Sequence, residues 1–329
     1  MAEGADVSEI LEDCEELDLT GSHLPDLSGI DLPDGLKALD LTTNRLRALD
    51  PRLLALTGLQ TLSLRQNLLS DVGQLGNSAF RAVLKELVLH DNHIEEIPEM
   101  EDFTSLQRLE LSYNQIQSLQ PLLSLGSTVL SDLYVANNAV QKIEAVQQFT
   151  NLRMLELGSN KIREMTGLEG LTNLQELWLG RNRIAEISGL NSLTALRKLS
   201  VQSNRLMSMA GLQHCSQLEE LYLSHNGIQR LEGLESLPNL RVLDVSSNQV
   251  SDLTGLEALT QLTDLWLNDN AITSLGDLVA AAGGPMGGSL TCLYLSGNPA
   301  AETAGGHAAY RAAVVRMFPK LQQLDDQLV

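Results

Sequence analysis

Acidic and aromatic side chains recur at one position of a repeating pattern, between two leucines that are two residues apart. Five of the thirteen occurrences are aromatic, although only 11 of the 329 residues are Phe, Trp or Tyr. Exposed Trp and Tyr are typical of protein-binding hot spots, and neighbouring carboxylates favour a basic partner surface. The pattern therefore indicates protein binding. The thirteen residues are Asp18, Asp40, Ser63, Val88, Glu110, Tyr134, Glu156, Trp178, Ser200, Tyr222, Asp244, Trp266 and Tyr294. The alternative is that the aromatic rings only stack on one another across adjacent strands.

Other residues whose types could support catalysis or metal binding are not arranged for it. The segment His90-Asp91-Asn92-His93 has metal-like spacing, but its histidines flank a predicted turn and would not converge. The pair His214-Cys215 lacks a third partner for nucleophilic catalysis. Glu110 and Glu156 are two repeats apart on an open surface, and general acid–base catalysis needs an enclosed pocket. We therefore expect no enzyme activity, cofactor, metal ion or small-molecule substrate.

Composition narrows the partner class further. The formal net charge is −20, which disfavours nucleic acids and anionic membranes because both require clustered Lys and Arg. No apolar run approaches the roughly 18 residues that a membrane helix needs, and the acidic first 16 residues do not resemble a signal peptide. The three cysteines are far apart, which is typical of reduced thiols and predicts the nucleus and cytoplasm.

The leucines that frame these positions belong to the unit L-x-x-L-x-L-x-x-N-x-(L/I/V), which occurs thirteen times. From Asn138 to Asn270 seven copies follow one another at 22-residue intervals. Alternating leucines share one face of a short strand, and the Asn can bond backbone groups at the turn. Apolar residues three apart, such as Met165, Leu168 and Leu171, suit 3₁₀ turns. Because one unit cannot bury its own leucines, units must stack. The sequence predicts an α/β leucine-rich-repeat solenoid with a curved parallel sheet on its concave side and 3₁₀ or short helical turns on its convex side.

The repeats also set the expected boundaries. We predict an acidic, flexible N-terminus over 1–13, thirteen repeats mostly of 22 residues over 14–298, and a C-terminal repeat cap over 299–329. Within the cap, Tyr310, Val314 and Phe318 are four residues apart and would share one helix face over the last coil. The Gly-rich stretch 280–289 is predicted to be a mobile loop.

The residues inside the repeats resemble a known family. The stretches MLELGSNKI, LWLGRNRI, LSVQSNRL, ELYLSHNGI and DLWLNDN, with the ending Tyr310-Arg…Phe318-Pro319…Leu324-Asp325, resemble the leucine-rich-repeat regulatory subunit of protein phosphatase 1, regulatory subunit 7. The likeness runs from about residue 36 to 326 and departs in the N-terminal fifth and in 280–309. The short V-x-F docking motif of other phosphatase 1 partners is absent, as the resemblance leads us to expect.

The resemblance implies a function and a set of site residues. It implies a non-catalytic subunit, one copy in a heterodimer or larger complex, that binds the phosphatase 1 catalytic subunit through acids and aromatics on the concave face. The matching positions are Glu110, Tyr134, Glu156, Trp178, Asp244, Asp264, Trp266 and Tyr294. Because these side chains point away from the leucines, we expect their replacement to leave the fold unchanged. The alternative is a structural adaptor of axonemal or spliceosomal type that binds another basic protein.

Overall fold

The computed structural model describes residues 14–303 and 306–329, so the predicted acidic N-terminus 1–13 lies outside the described residues. The chain divides into two compact units, with the boundary after Asn160. Within the described ranges, no helix is long and apolar enough to span a membrane.

The first unit contains seven parallel strands that pair in sequence order. Each strand has three residues, and its central leucine pairs in register with the central leucine of the next strand. The strands are β1 (Glu16–Asp18), β2 (Ala38–Asp40), β3 (Thr61–Ser63), β4 (Glu86–Val88), β5 (Arg108–Glu110), β6 (Asp132–Tyr134) and β7 (Met154–Glu156). Helix α1 (Pro51–Ala55) and 3₁₀ turns at Gly73–Asn77 and Gln120–Ser124 lie between strands.

The second unit continues the same architecture and adds a cap. Its strands are β8 (Glu176–Trp178), β9 (Lys198–Ser200), β10 (Glu220–Tyr222), β11 (Val242–Asp244), β12 (Asp264–Trp266), β13 (Cys292–Tyr294), β14 (Gln323–Leu324) and β15 (Gln327–Leu328). All pair in parallel except β15, which is antiparallel to β14. The connecting elements are 3₁₀ turns at Leu234–Ser236, Leu256–Ala258 and Pro285–Gly288, with helices α2 (Gly276–Ala282), α3 (Pro299–Thr303) and α4 (His307–Met317).

The pattern of buried residues explains why these elements form. The central leucine of each strand from β2 to β13 is buried, as is the leucine or valine two residues later, so alternate strand residues face the core. On the return path, Leu171 N donates to Leu168 O and Leu174 N donates to Leu171 O, each at 3.0 Å. These i→i+3 bonds are the predicted 3₁₀-type turns, although most remain single turns. The predicted α/β leucine-rich-repeat solenoid class is confirmed.

The repeated asparagines form a hydrogen-bond ladder within each unit. The Asn270 Oδ1 accepts from Val250 N at 2.9 Å, and its Nδ2 donates to Val245 O at 2.9 Å and Leu267 O at 3.0 Å. The preceding residue is left-handed in each of these repeats, for example Asp269 with φ 55°. The amide thereby supplies the acceptor for a buried backbone N–H of the neighbouring coil, and each ladder carbonyl accepts from the asparagines of two successive repeats, as Val245 O does from Asn248 and Asn270.

The Gly-rich stretch is not the mobile loop that its composition predicts. Helix α2 covers its beginning and the 3₁₀ turn Pro285–Gly288 covers its end. Leu278, Ala281 and Met286 are buried, so the apolar residues between the glycines join the core. Gly287 is required because a Cβ there would lie 1.8 Å from Ala282 O.

The C-terminal segment packs Tyr310, Val314 and Phe318 of α4 into the core. Asp325 follows Leu324 of β14 and bonds the backbone just after β13, since its Oδ1 accepts from Leu295 N at 2.7 Å and Ser296 N at 2.8 Å. The Tyr310 hydroxyl donates to Asp325 Oδ2 at 2.9 Å. A carboxylate suits this position because it offers only acceptors.

Candidate protein-binding surface

The predicted site residues lie on strands of both units, beside the central leucines on the side opposite the core. The first unit carries Glu110, Tyr134 and Glu156, and the second carries Trp178, Asp244, Asp264, Trp266 and Tyr294. We call this side of the sheet the inter-leucine face, and we consider the two units separately.

In the second unit, four aromatic rings form a continuous row on the inter-leucine face. Trp178 and Tyr222 are stacked with ring centroids 6.0 Å apart, and Tyr222 is tilted against Trp266 at 6.3 Å. Trp266 meets Tyr294 edge-on at 6.1 Å. Stacking of the rings, the alternative considered from sequence, is therefore real. It does not cover the rings completely, since all four remain half-buried at the surface.

Tyr222 is the member of this row that the family resemblance left out. It stands between Trp178 and Trp266, and its hydroxyl donates to Glu220 Oε2 at 2.8 Å. Burial raises the pKa of the Tyr222 hydroxyl, and the charges of Glu220, Asp244 and Asp264 raise it further. The signal that identifies Tyr222 was present in the sequence, because it occupies the same inter-leucine position as the others.

Two small residues lie beneath the aromatic row. Ser200 separates Trp178 from Tyr222 in the strand register, and Asp244 separates Tyr222 from Trp266. Rings two strands apart would stand roughly 9.6 Å from each other if they were upright, so they lean over the small residue between them. Ser200 is 1% exposed and Asp244 is 4% exposed.

The burial of Asp244 corrects the expectation that this acid is freely exposed and can be replaced without cost. Its Oδ1 accepts from Ser246 N at 2.9 Å and from Ser246 Oγ at 2.6 Å. A lysine here would place an unpaired charge under two rings, which is strongly unfavourable. We therefore expect Asp244→Lys to destabilise the fold, so it cannot serve as a test of binding.

The accessible acids beside the row are Glu176, Glu220 and Asp264, which precede the central leucines of β8, β10 and β12 and are half-buried. Glu176 accepts from Trp178 Nε1 at 3.2 Å, and Glu220 pairs with Lys198 Nζ at 3.3 Å. Asp264 lies beside Cys292 in the register. Burial raises the pKa of the Cys292 thiol, and the Asp264 carboxylate raises it further, so this thiol is not activated.

In the first unit, Tyr134 is part of a charged cluster on the inter-leucine face. The Arg108 guanidinium lies over the Tyr134 ring, 4.5 Å from its centroid, and Arg108 Nε is 3.2 Å from Glu86 Oε1. Burial is the main cause that raises the pKa of Tyr134. The Arg108 guanidinium therefore covers one face of the Tyr134 ring.

Glu110 and Glu156 flank Tyr134 in the register. Glu110 Oε1 accepts from Ser112 N at 2.8 Å and lies 3.7 Å from His90 Nδ1. Burial raises the pKa of Glu156, and the charge of Glu110 raises it further. The two carboxylates thus interact electrostatically across the tyrosine, which favours a cationic group of a partner between them.

The other candidate groups do not form sites. His90 packs against Tyr113, with ring centroids 4.8 Å apart and the ring planes tilted by 45°. Among the residues that the structure describes, no group of three or more His, Cys, Asp or Glu is arranged to hold a metal ion. Cys215 is buried, and burial raises the pKa of its thiol to about 11, so it is protonated at neutral pH.

Comparison with known proteins agrees with the repeat architecture. A family model of paired leucine-rich repeats matches residues 83–124, 172–214, 216–258 and 238–280, and a second leucine-rich-repeat model matches 104–162. Together these ranges span more than half of the chain. The chain is a leucine-rich-repeat protein.

Solved structures agree with this fold. An internalin from Listeria monocytogenes is 28% identical with a TM-score of 0.84, and the match covers 98% of this chain and 89% of that chain. A leucine-rich-repeat protein from Leptospira interrogans is 21% identical with a TM-score of 0.77, covering 97% of this chain and 98% of that chain, and shows the fold alone.

A relative described as "Protein phosphatase 1 regulatory inhibitor subunit PPP1R7 homolog" from Arabidopsis thaliana is 46% identical over 125 residues. The match covers 37% of this chain and 38% of that relative, so the chain matches well under two thirds of the relative's length. The resemblance to this regulatory family is confirmed over the matched segment. The relative's description as a regulatory subunit and the repeat family together support the prediction that the leucine-rich-repeat protein is not an enzyme.

Proposed function

We propose that this leucine-rich-repeat protein is a non-catalytic regulatory subunit that binds the catalytic subunit of protein phosphatase 1 through its inter-leucine face. The observation that carries the proposal is the row Trp178, Tyr222, Trp266 and Tyr294 with its flanking carboxylates. Half-exposed indoles and phenols are large anchors that lose little conformational entropy on binding. The relative's description as a phosphatase 1 regulatory subunit directs the choice of partner.

Charge supports the same assignment. Glu176, Glu220 and Asp264 lie at the edge of the aromatic row, on a chain whose net charge is −20. Acids around an aromatic centre steer a basic partner surface and raise the association rate, while the rings supply affinity. The protein would act in the nucleus and cytoplasm as one copy in a heterodimer or larger complex.

The test is calorimetric titration of purified phosphatase 1 catalytic subunit into the protein. Trp266→Ala is expected to weaken binding by about 2 kcal/mol or more, close to thirtyfold, because it removes a central anchor. The same change costs the fold about 1–2 kcal/mol, since Trp266 contacts two rings and covers Asp244. Trp266→Phe keeps most ring contacts and is expected to bind with intermediate affinity.

The control is Val279→Ala, which removes an exposed apolar side chain on helix α2, outside the inter-leucine face. It is expected to bind like the parent. Equal affinities for the parent and the folded Trp266→Ala variant would exclude the inter-leucine face of the second unit as the binding surface. The adaptor function, with another basic partner, would then be preferred.

A further inference from the structure

A basic cleft interrupts the acidic surface of the second unit. It has a volume of about 500 Å³ and is lined by three arginines, Arg163, Arg183 and Arg205, all of them exposed. Within residues 14–303 and 306–329, none of the three guanidinium groups forms an ion pair or a side-chain hydrogen bond. Three unneutralised guanidinium groups in one cleft are unexpected on a chain with a net charge of −20.

Backbone hydrogen bonds hold the arginines in register. Arg183 N donates to Ile162 O and Arg205 N donates to Ile184 O, each at 2.8 Å, so successive coils present equivalent residues side by side. Adjacent coils are roughly 4.8 Å apart, and long arginine side chains on neighbouring coils can reach one small ligand. Arg183 and Arg205 each follow a ladder asparagine directly. In the next repeat this position is Gly227, where the Met207 side chain lies against the backbone.

Residues at equivalent positions of adjacent coils also form the rest of the cleft lining. Ala185 stands beside Arg163 at an equivalent position, and its small side chain leaves the space open. Thr166 and Ser188 line the cleft with hydroxyl groups on adjacent coils. Glu164 and Glu186 also line it as an aligned pair, and neither lies within ion-pair distance of the three guanidinium groups.

The guanidinium and hydroxyl donors of the cleft suit a ligand in which one central atom carries several acceptor oxygens, such as a phosphate. Arginine binds phosphate through paired N–H donors, and hydroxyl groups can bond the remaining oxygens. A polyanion is disfavoured by Glu164 and Glu186 and by the net charge of the chain. The two glutamates instead suit a cationic residue next to the phosphate.

We propose that this cleft binds a single phosphoserine or phosphothreonine of a peptide segment that carries a lysine or arginine beside the phosphorylated residue. The site is separate from the aromatic row and does not depend on phosphatase binding. It would give the protein a second way to recruit a partner, one controlled by phosphorylation.

The experiment titrates fluorescent peptides into the full chain and follows polarisation. The probes are a short peptide with one phosphoserine next to a lysine, its unphosphorylated form, and the same peptide with glutamate in place of phosphoserine. The phosphopeptide is expected to bind at least tenfold more tightly than either other form. R183Q/R205Q is expected to lose at least tenfold in phosphopeptide affinity and to keep the parent's melting temperature, since both side chains are exposed.

The control is R45Q/R47Q, which removes the same charge from two exposed arginines of one repeat in the first unit; Arg47 occupies the repeat position of Arg163. Arg45 follows the ladder residue Asn44 as Arg183 follows Asn182. This control is expected to bind like the parent. Equal binding of all three peptides, unchanged phosphopeptide affinity in R183Q/R205Q, or equal losses in both double variants would overturn the proposal. Competition by inorganic phosphate at the peptide's own concentration would also overturn it, because the peptide would then add nothing to the phosphate.

Discussion

Replacing the ladder residue Asn270 tests whether the asparagine side chain stabilises the solenoid. Asn270 is 9% exposed, and its removal takes the acceptor from Val250 N–H. Val245 O and Leu267 O each lose one of two amide donors and keep Asn248 Nδ2 and Asn298 Nδ2, respectively. An unsatisfied buried polar group costs roughly 1–3 kcal/mol, and neighbouring coils relax to recover part of it. We therefore expect Asn270→Ala to lower the free energy of unfolding by about 1–3 kcal/mol, mainly through the unpaired Val250 N–H.

Asn270→Asp distinguishes the acceptor role of the Asn270 amide oxygen from the donor role of its nitrogen. The carboxylate keeps the acceptor for Val250 N–H, loses the donors, and faces the carbonyl oxygens of Val245 and Leu267. It is expected to cost at least as much as alanine at pH 7. The contrasting site is Asp325, whose carboxylate oxygens only accept hydrogen bonds. Asp325→Asn should cost less than Asn270→Asp.

Urea unfolding followed by circular dichroism measures these differences, with thermal melts as a second readout. Because long repeat arrays can depart from two-state unfolding, the slope of the transition is compared before free energies are compared. The account of the ladder fails if Asn270→Ala lies within about 0.5 kcal/mol of the parent, the range of ordinary surface changes.

Two further predictions concern charge and close packing. Because burial and Glu110 raise the folded-state pKa of Glu156, stability should fall as pH rises from 4.5 through that pKa. Glu156→Gln should therefore raise the melting temperature relative to the parent at pH 7 but not at pH 4, and an equal effect at both would contradict the assigned cause. Gly287→Ala should lower the melting temperature markedly because its Cβ would collide with Ala282 O, whereas Gly288→Ala has open space. Equal melts for the two glycine variants would show that the close approach is not restrictive.

The repeat made the backbone predictable. The strand positions and the asparagine ladder follow from a short unit whose leucines can be buried only by stacking. The inter-leucine residues face away from the core for the same reason, because strand side chains alternate between faces. The Gly-rich stretch could not be interpreted from composition, since Leu278, Ala281 and Met286 pack into the core despite the glycines around them.

The ring contacts of the aromatic row depend on which residues stand side by side on adjacent strands, and the sequence of one repeat does not show this. Ring contacts at 6.0 and 6.3 Å arise because a large ring stands beside a serine or an aspartate and leans into the space above it. Asp244 is buried because a ring stands on each side of it, Tyr222 on one strand and Trp266 on the next. Glu110 occupies the same repeat position but has Val88 on one side and Tyr134 on the other, and it remains half-buried.

In the proposed complex, the aromatic rings would supply affinity, and carboxylates beside the rings would attract the basic partner. Asp244 lies under the rings and its carboxylate accepts hydrogen bonds from Ser246, so its role is to pack beneath the aromatic row. In the proposed complex, a basic partner would instead meet the carboxylates of Glu176 and Asp264, which are half-buried at the surface. Charge reversal at these two residues should slow association and leave dissociation largely unchanged, whereas loss of Trp266 should speed dissociation. If charge reversal changed only the dissociation rate, the carboxylates would be direct contacts and the proposed division between steering and anchoring would be wrong.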